Sequence, residues 1–155
     1  MNTDKVTRIR NEIPLGPPPA ASSPHVTKSM KSNVARNTGP ELILRRALFA
    51  SGLRGYRLHC KKVPGRPDIC FTNKKLAVFV NGCYWHRCPI CDLSLPKTNT
   101  DFWQRKFELN VERDKRKIEN LETLGWKVMT VWECEIRNEL GEVVVRIRQT
   151  LANLK

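Results

Sequence analysis

Residues 65–83 read GRPDICFTNKKLAVFVNGC, and two short apolar runs inside this stretch set the architecture. Gly65-Arg66-Pro67 makes a turn that should bring the chain out extended into Asp68, because proline holds the residue before it away from the helical region. Residues 69–72 and 76–80 then read as two short buried strands hinged at Asn73-Lys74, a hairpin. Upstream, residues 56–60 can form a further strand, and Thr38-Gly39-Pro40-Glu41 has the T-x-x-E form of a capping box ahead of Leu42, Leu44, Arg45, Leu48 and Phe49. A helix is predicted over 39–51, ended by Gly52. Downstream, Thr100 caps a predicted helix over 101–124, whose stripe is Phe102, Trp103, Phe107, Val111, Ile118, Leu121 and Leu124, with Gly125 as its stop. Residues 126–132 are the most strand-like run, and 143–154 resume a helical pattern. The order of elements implies an α/β domain in which helices cover a central mixed sheet, with no internal repeat.

The whole chain narrows the partners. With 155 residues, 40% of them apolar, it has the makings of one domain with its own core. Twenty-eight Lys and Arg against fifteen Asp and Glu leave +13, a positive field that favours polyanions, nucleic acid first among them, and disfavours acidic partners. No stretch approaches the roughly 18–20 apolar residues of a membrane span, and the start lacks the apolar core of a secretory signal, so a cytoplasmic protein is expected. Residues 1–26 carry Pro14, Pro17, Pro18, Pro19 and Pro24 among small and charged residues and read as a disordered leader. Residues 27–155 read as the single domain, opening with a basic arm over 27–37 that holds Lys28, Met30, Lys31 and Arg36; an unstructured continuation of the leader fits this arm equally well.

Chemistry gathers around the cysteines. Cys83, Cys88 and Cys91 stand as C-x4-C-x2-C, and Cys134 ends the strand-like run at 126–132. In a reducing compartment, close thiols are better explained by zinc than by disulfides. Four thiolates suit a tetrahedral structural site, which leaves no open position for substrate and would pin the loop to the sheet edge. His86 in place of one cysteine, or no metal at all, are the other readings of the cluster. Cys60 and Cys70, in strand-like runs, read as ordinary buried thiols.

Asp68 begins a buried strand, a costly place for a carboxylate unless a cation or hydrogen bonds offset desolvation. Magnesium needs only one or two carboxylates beside water and phosphate oxygens, so one aspartate near a basic surface can seed phosphodiester chemistry; the plainer reading is an aspartate that closes a turn.

Gly65-Arg66-Pro67-Asp68, Val78 through His86, Thr100-Asp101-Phe102-Trp103, Asn110 through Asp114, and Leu124-Gly125-Trp126 through Cys134 together resemble the very short patch repair (Vsr) endonuclease family, in matching order from about residue 28 to 137. The resemblance implies a restriction-endonuclease-like fold and a DNA mismatch endonuclease that nicks 5′ to the thymine of T:G mispairs, which arise when 5-methylcytosine deaminates. It implies that Asp68 and the main-chain carbonyl of Val80 hold magnesium, that His86 is the general base, that Glu41 and Asp114 assist the metal waters or orient His86, and that Cys83, Cys88, Cys91 and Cys134 hold the structural zinc. It further implies that Tyr84, Trp85 and Trp103 enter the duplex beside the mismatch while Met30 inserts from the opposite side. Lys28, Lys31, Arg36, Lys61, Lys62, Arg66 and Lys97 would contact phosphates, which position the enzyme without reading sequence.

Wedge insertion costs least at a mispair, so part of the recognition would be energetic. For some of these residues the bland role stands beside the implied one: Glu41 as half of its capping box, Asp114 on a solvated helix face, Trp103 in the core stripe. The chain departs from the family at Asn81, where some members carry a second histidine proposed to help the leaving group, and at Val80, which replaces a polar residue. It also lacks the E-x-K element of related nucleases, which shifts the base role to His86.

The expected partner is double-stranded DNA with a T:G mismatch, bound by a monomer, with mismatch-repair proteins a further partner class. Three rivals remain: a zinc-stabilised DNA-binding module without catalysis, an adaptor that recruits mismatch-repair proteins, and a less selective restriction-like nuclease.

Overall fold

The computed structural model describes residues 15–155, so the first fourteen residues of the expected leader lie outside the described residues. The hairpin forms where the two apolar runs place it. Strand β2 (Ile69–Phe71) and strand β3 (Leu76–Asn81) pair antiparallel, Ile69 with Val78 and Phe71 with Leu76. The bend between them is a single tight turn over Thr72–Lys74 that closes on Lys75 in the left-handed region, φ 49°. Strand β1 (Arg57–Leu58) adds to the outer side of β2, and strand β4 (Lys127–Trp132) runs parallel to β3 on the other side. The sheet order is β1-β2-β3-β4, mixed as the sequence implies.

Period-two alternation decides what each face buries. Ile69, Phe71, Leu76, Val78 and Val131 share one face, packed with Leu44 and Leu48 of helix α2 (Gly39–Ala50), Ile136 of helix α4 (Glu133–Asn138), and Val143, Val144 and Ile147 of helix α5 (Leu140–Asn153). Cys70, Ala77 and Phe79 point the other way, onto Leu121 of helix α3 (Thr100–Thr123) and onto Val63. Two helical layers therefore sandwich the sheet. Each large side chain sealed between them contributes roughly 1.5–3 kcal/mol.

Local readings fare unevenly. Thr38 caps α2, its hydroxyl accepting from the Glu41 N–H, but the buried stripe is Glu41, Leu44 and Leu48, with Leu42 and Phe49 exposed. In α3 only Phe107 and Leu121 of the predicted stripe are buried, while Val111 and Leu124 face solvent. Thr100 is the first residue of α3 rather than its cap; its hydroxyl donates to the Pro96 carbonyl instead. Gly125, at φ 77°, ends α3 as expected. Arg66 is not extended ahead of Pro67: Gly65 at φ 75° and Arg66 at φ 49° make a tighter turn, in which a Cβ on Gly65 would lie 3.1 Å from the Lys117 side chain. Helix α1 (Pro24–Ser32), capped by Ser23, lies partly within the predicted leader and partly within the basic arm, and carries Lys28, Met30 and Lys31. Cys134 does not end a strand: β4 stops at Trp132, and Cys134 lies in the first turn of α4, which the sequence reading missed. Cys70 is buried as expected, whereas Cys60 is only half-buried.

Candidate functional site

The turn before β2, the end of β3 and the start of α2 converge on one side of the sheet and bound an open cleft of about 780 Å³. Glu41, Asp68, Val80, Asn81, Trp85 and His86 all line it, together with Arg36 and Arg66. The acid and the imidazole singled out in the sequence therefore share a cavity although β3 and a loop separate them in the chain.

Asp68 is placed by the hairpin register. Its Oδ2 accepts the Val80 N–H at 2.7 Å, which locks the carboxylate against the end of β3. Burial raises its pKa above the ordinary aspartate value and the nearby Glu41 raises it further, while the Val80 N–H, His59 and Arg45 oppose them. Glu41 is almost fully buried, at 3% exposure, and its hydrogen bonds are local: Oε1 accepts from the Thr38 hydroxyl at 3.1 Å, and Oε2 from the Asn37 N–H at 3.1 Å and from Arg45 at 2.7 Å, while His59 Nε2 stands 3.4 Å from the same Oε2. Its capping role is thus real but shifted, since it reaches the Asn37 amide rather than that of Thr38. Ligand atoms of Glu41, His59 and Asp68 lie within 4.8 Å of one another, so this corner gathers carboxylate oxygens of the kind that fit a divalent cation, with an imidazole beside them.

His86 follows the end of β3 in a turn closed by its own N–H to the Gly82 carbonyl, 3.2 Å. Its Nδ1 pairs with Oδ2 of Asp114 on α3. Asp114 is thus no solvated surface acid; its other oxygen faces the Lys117 ammonium at 3.5 Å. One turn earlier on the same helix, Asn110 donates to the Trp85 carbonyl at 3.0 Å and ties the loop down. With Nδ1–H given to a carboxylate, Nε2 is the basic nitrogen, the arrangement proton abstraction needs.

Sulfurs of Cys83, Cys88, Cys91 and Cys134 all lie within 4.8 Å of one another. Cys88 Sγ and Cys134 Sγ are 3.8 Å apart, and a tetrahedron of 2.3 Å zinc–sulfur bonds has an edge of about 3.8 Å. The cluster fits one tetrahedral metal ion. Burial pushes the Cys83 and Cys134 thiols up. The Cys134 N–H also donates to Cys83 Sγ at 3.3 Å, the kind of contact that supports a metal-bound thiolate.

Beside the cleft the aromatics stack into one cluster. Tyr84 meets Trp85 edge-on at 5.1 Å and Phe107 at 5.2 Å, and Trp85 meets Trp103 at 6.0 Å. Phe107 is the buried floor, whereas Tyr84, Trp85 and Trp103 stay half-exposed above it, so Trp103 is neither a core residue nor free. The Lys106 ammonium lies 5.3 Å from the Trp103 ring centre. Among the expected phosphate contacts, all exposed, Arg36 and Arg66 reach the cleft. Lys28 and Lys31 stand on α1, Lys61 and Lys62 in the turn after β1, and Lys97 before α3; none of these five lines the cleft, nor does Met30, which is half-buried on α1. His59 and Arg45 escaped the sequence reading. The only signal for His59 is register: it comes one residue after the Leu58–Ile69 pair, opposite Asp68.

Comparison with known proteins places this geometry. Residues 23–91 match the family model described as DNA mismatch endonuclease Vsr. The type II nicking enzyme V.XorIIP of Xanthomonas oryzae pv. oryzae is 43% identical over 117 residues, spanning 76% of this chain and 85% of that protein. DNA mismatch endonuclease Vsr of Escherichia coli K12 is 39% identical over 111 residues, 72% of this chain and 70% of that one. Among solved structures, the catalytic domain of homing endonuclease I-Bth0305I overlays with a TM-score of 0.52 at 25% identity, covering 75% of this chain and 96% of that domain.

Proposed function

The chain belongs to the Vsr family and is a DNA endonuclease, and from that premise we propose that it nicks one strand 5′ to the thymine of a T:G mispair by magnesium-dependent hydrolysis. The observation that carries the proposal is the shared cleft: Asp68 locked to the Val80 main chain, His86 backed by Asp114 from behind the cleft wall, and Trp85 at the edge of the aromatic cluster all open onto one space. A pure DNA-binding module has no use for a desolvated carboxylate beside an imidazole whose tautomer is fixed by an acid.

In this mechanism Asp68 and the Val80 carbonyl hold the magnesium, whose chemistry when bound is to stabilise charge on the phosphate and acidify water. Asp114 holds the Nδ1–H of His86, so Nε2 takes the proton from the attacking water. Glu41 assists through water from the same cleft wall, while its contacts to Asn37, Thr38 and Arg45 keep the start of α2 in place. Tyr84, Trp85 and Trp103 form the wedge on one side of the duplex, and Met30 on α1 is the counterpart from the other. Unstacking costs a few kcal/mol per step and least at a mispair, so the wedge itself discriminates. Lys28, Lys31, Arg36, Lys61, Lys62, Arg66 and Lys97 contact phosphates. Zinc on Cys83, Cys88, Cys91 and Cys134 is a structural clasp under the wedge, not a catalyst.

The test is incubation of the purified protein and its Asp68→Ala variant with end-labelled duplexes carrying T:G, C:G or T:A at one site, with and without magnesium. A single-strand cut confined to T:G, dependent on magnesium and absent in the variant although T:G affinity persists, is the expected result. Equal cutting of paired duplexes would replace the mismatch reading with that of a general nuclease, and cutting by Asp68→Ala would remove Asp68 from the chemistry.

A further inference from the structure

His59 has no part in the mechanism above and Arg45 only a contact to Glu41, yet the two side chains meet beside Asp68. A guanidinium only donates, so the Arg45 nitrogen 2.9 Å from His59 Nε2 makes that ring nitrogen an acceptor. The proton of the neutral ring then sits on Nδ1, the nitrogen that faces Asp68 Oδ1 at 3.7 Å. Glu41 Oε2 takes the same Arg45 nitrogen at 2.7 Å and itself lies 3.4 Å from His59 Nε2, farther than the guanidinium, and Arg45 also donates to the Asn37 side chain at 2.7 Å. The backbone is set for this too: the His59 N–H donates to the Asp68 carbonyl at 3.3 Å, and His59 stands in the left-handed region at φ 44°, a conformation that costs a non-glycine residue free energy. Side-chain exposure is 11% for Arg45, 16% for His59 and 18% for Asp68, so water competes poorly with these contacts. Among the described residues Arg45 Nε is buried without a partner, a cost the fold bears to keep the guanidinium here.

We propose that His59 is a positioning residue for Asp68: Arg45 fixes its Nδ1–H tautomer, and that N–H sets the rotation of the carboxylate whose other oxygen the Val80 amide already holds. This deepens the mechanism above and rests on its claim that Asp68 holds the divalent cation. Asp68 then has one oxygen hydrogen-bonded to main chain at 2.7 Å and the other facing the imidazole at 3.7 Å, an electrostatic rather than a hydrogen-bonding distance, with lone pairs on both left for a cation. His59 itself is not a ligand, because both of its nitrogens are engaged, one by Arg45 and one by its own proton. Outer-sphere partners of this kind change metal affinity by 10–100-fold when removed.

The probe is Mn²⁺ titrated into the zinc-loaded protein and followed by electron paramagnetic resonance, with pulsed measurements for nitrogen coordination. Wild type is expected to bind Mn²⁺ at one Asp68-dependent site without directly bound nitrogen. His59→Leu weakens that binding by roughly 10–100-fold. His59→Asn, whose amide N–H occupies the place of Nδ1–H, restores it to within about threefold, as a retained donor should. A directly coordinated nitrogen in wild type, or wild-type affinity in His59→Leu, overturns the proposal. If His59→Leu does not fold, long-range proton–nitrogen correlation on the wild-type ring decides: Nδ1–H supports the assignment and Nε2–H overturns it. Asp68→Asn separates the premise, since undiminished Mn²⁺ binding there would sink the assignment of the cation to Asp68 and not the geometry of His59.

Discussion

His86 and Asp114 stand 28 positions apart, and their pairing decides which imidazole nitrogen can accept a proton. In Asp114→Asn the amide can donate to Nδ1 and favour the wrong tautomer. Single-turnover nicking of a T:G duplex should then fall by roughly 10²–10⁴-fold, while gel-shift affinity stays at the wild-type value. A parallel loss of both would make Asp114 a folding residue. Asp68 carries a second expectation, about stability. Burial raises its folded pKa above the ordinary value, so the native state holds that proton more tightly than the unfolded chain does. Ionised Asp68 therefore costs stability at neutral pH, and the cost fades as pH falls through the folded pKa and then the unfolded one. In the absence of magnesium, Asp68→Asn should raise the melting temperature near pH 7, with the gain shrinking towards zero in acid; a gain that grows in acid would contradict the shift. Asp68 and His86, which the fold brings into one cleft, caught the eye in the sequence because a buried strand does not open on an unpaired acid and a histidine among cysteines stands out. Arg45 and His59 did not, since each has its meaning only across the α2 and β1–β2 contacts that fold around it.

At the scale of elements, runs with a clear period were placed correctly and punctuation was read unevenly, right at Thr38 and Gly125 and wrong at Thr100 and Cys134. The hairpin, α2, α3, β4 and α5 each carry several apolar residues in phase. Helix α4 is six residues with one buried side chain, Ile136, too short to show a period beside the strand it follows. What starts it is Glu135, whose Oε2 accepts the Trp132 N–H at 2.8 Å while Oε1 takes Arg146 of α5 at 2.8 Å. Burial opposes ionisation of Glu135, but those two donors outweigh it and leave its pKa lowered. A depressed carboxylate contributes stability above its unfolded pKa and loses it as pH falls through the folded one. Glu135→Gln should therefore cost about 1 kcal/mol in urea unfolding at pH 7, within the range of a lost cap, and the difference should close as pH falls below the folded pKa. A difference independent of pH would assign the loss to packing. Helix α1 was hidden because the prolines up to Pro24, among small and charged residues, read as a disordered leader, although Pro24 occupies the first turn, where its missing N–H costs nothing.

Across the whole molecule, the sandwich supplies rigidity and the clasp supplies the loop. Residues 82–99 contain no helix or strand, yet they carry His86 and two of the three aromatics of the proposed wedge. The four cysteines join this loop to the start of α4, which packs on α2 and on α5. Stripping zinc with a strong chelator, or Cys134→Ser, should lower the melting temperature by roughly 10 °C, the effect of losing about 3 kcal/mol in a chain of this size, and should abolish nicking more completely than it abolishes DNA affinity. An unchanged melting temperature after chelation would mean that the cluster holds no structural ion. There is also a mechanical corollary. Cys83 comes two residues after β3 ends and Cys134 two residues after β4 ends, at the same edge of the parallel pair. Tension applied across that edge would otherwise open the six ladder pairs one at a time from their shared end, so a knot of sulfur there acts as the stop that keeps the first pair closed.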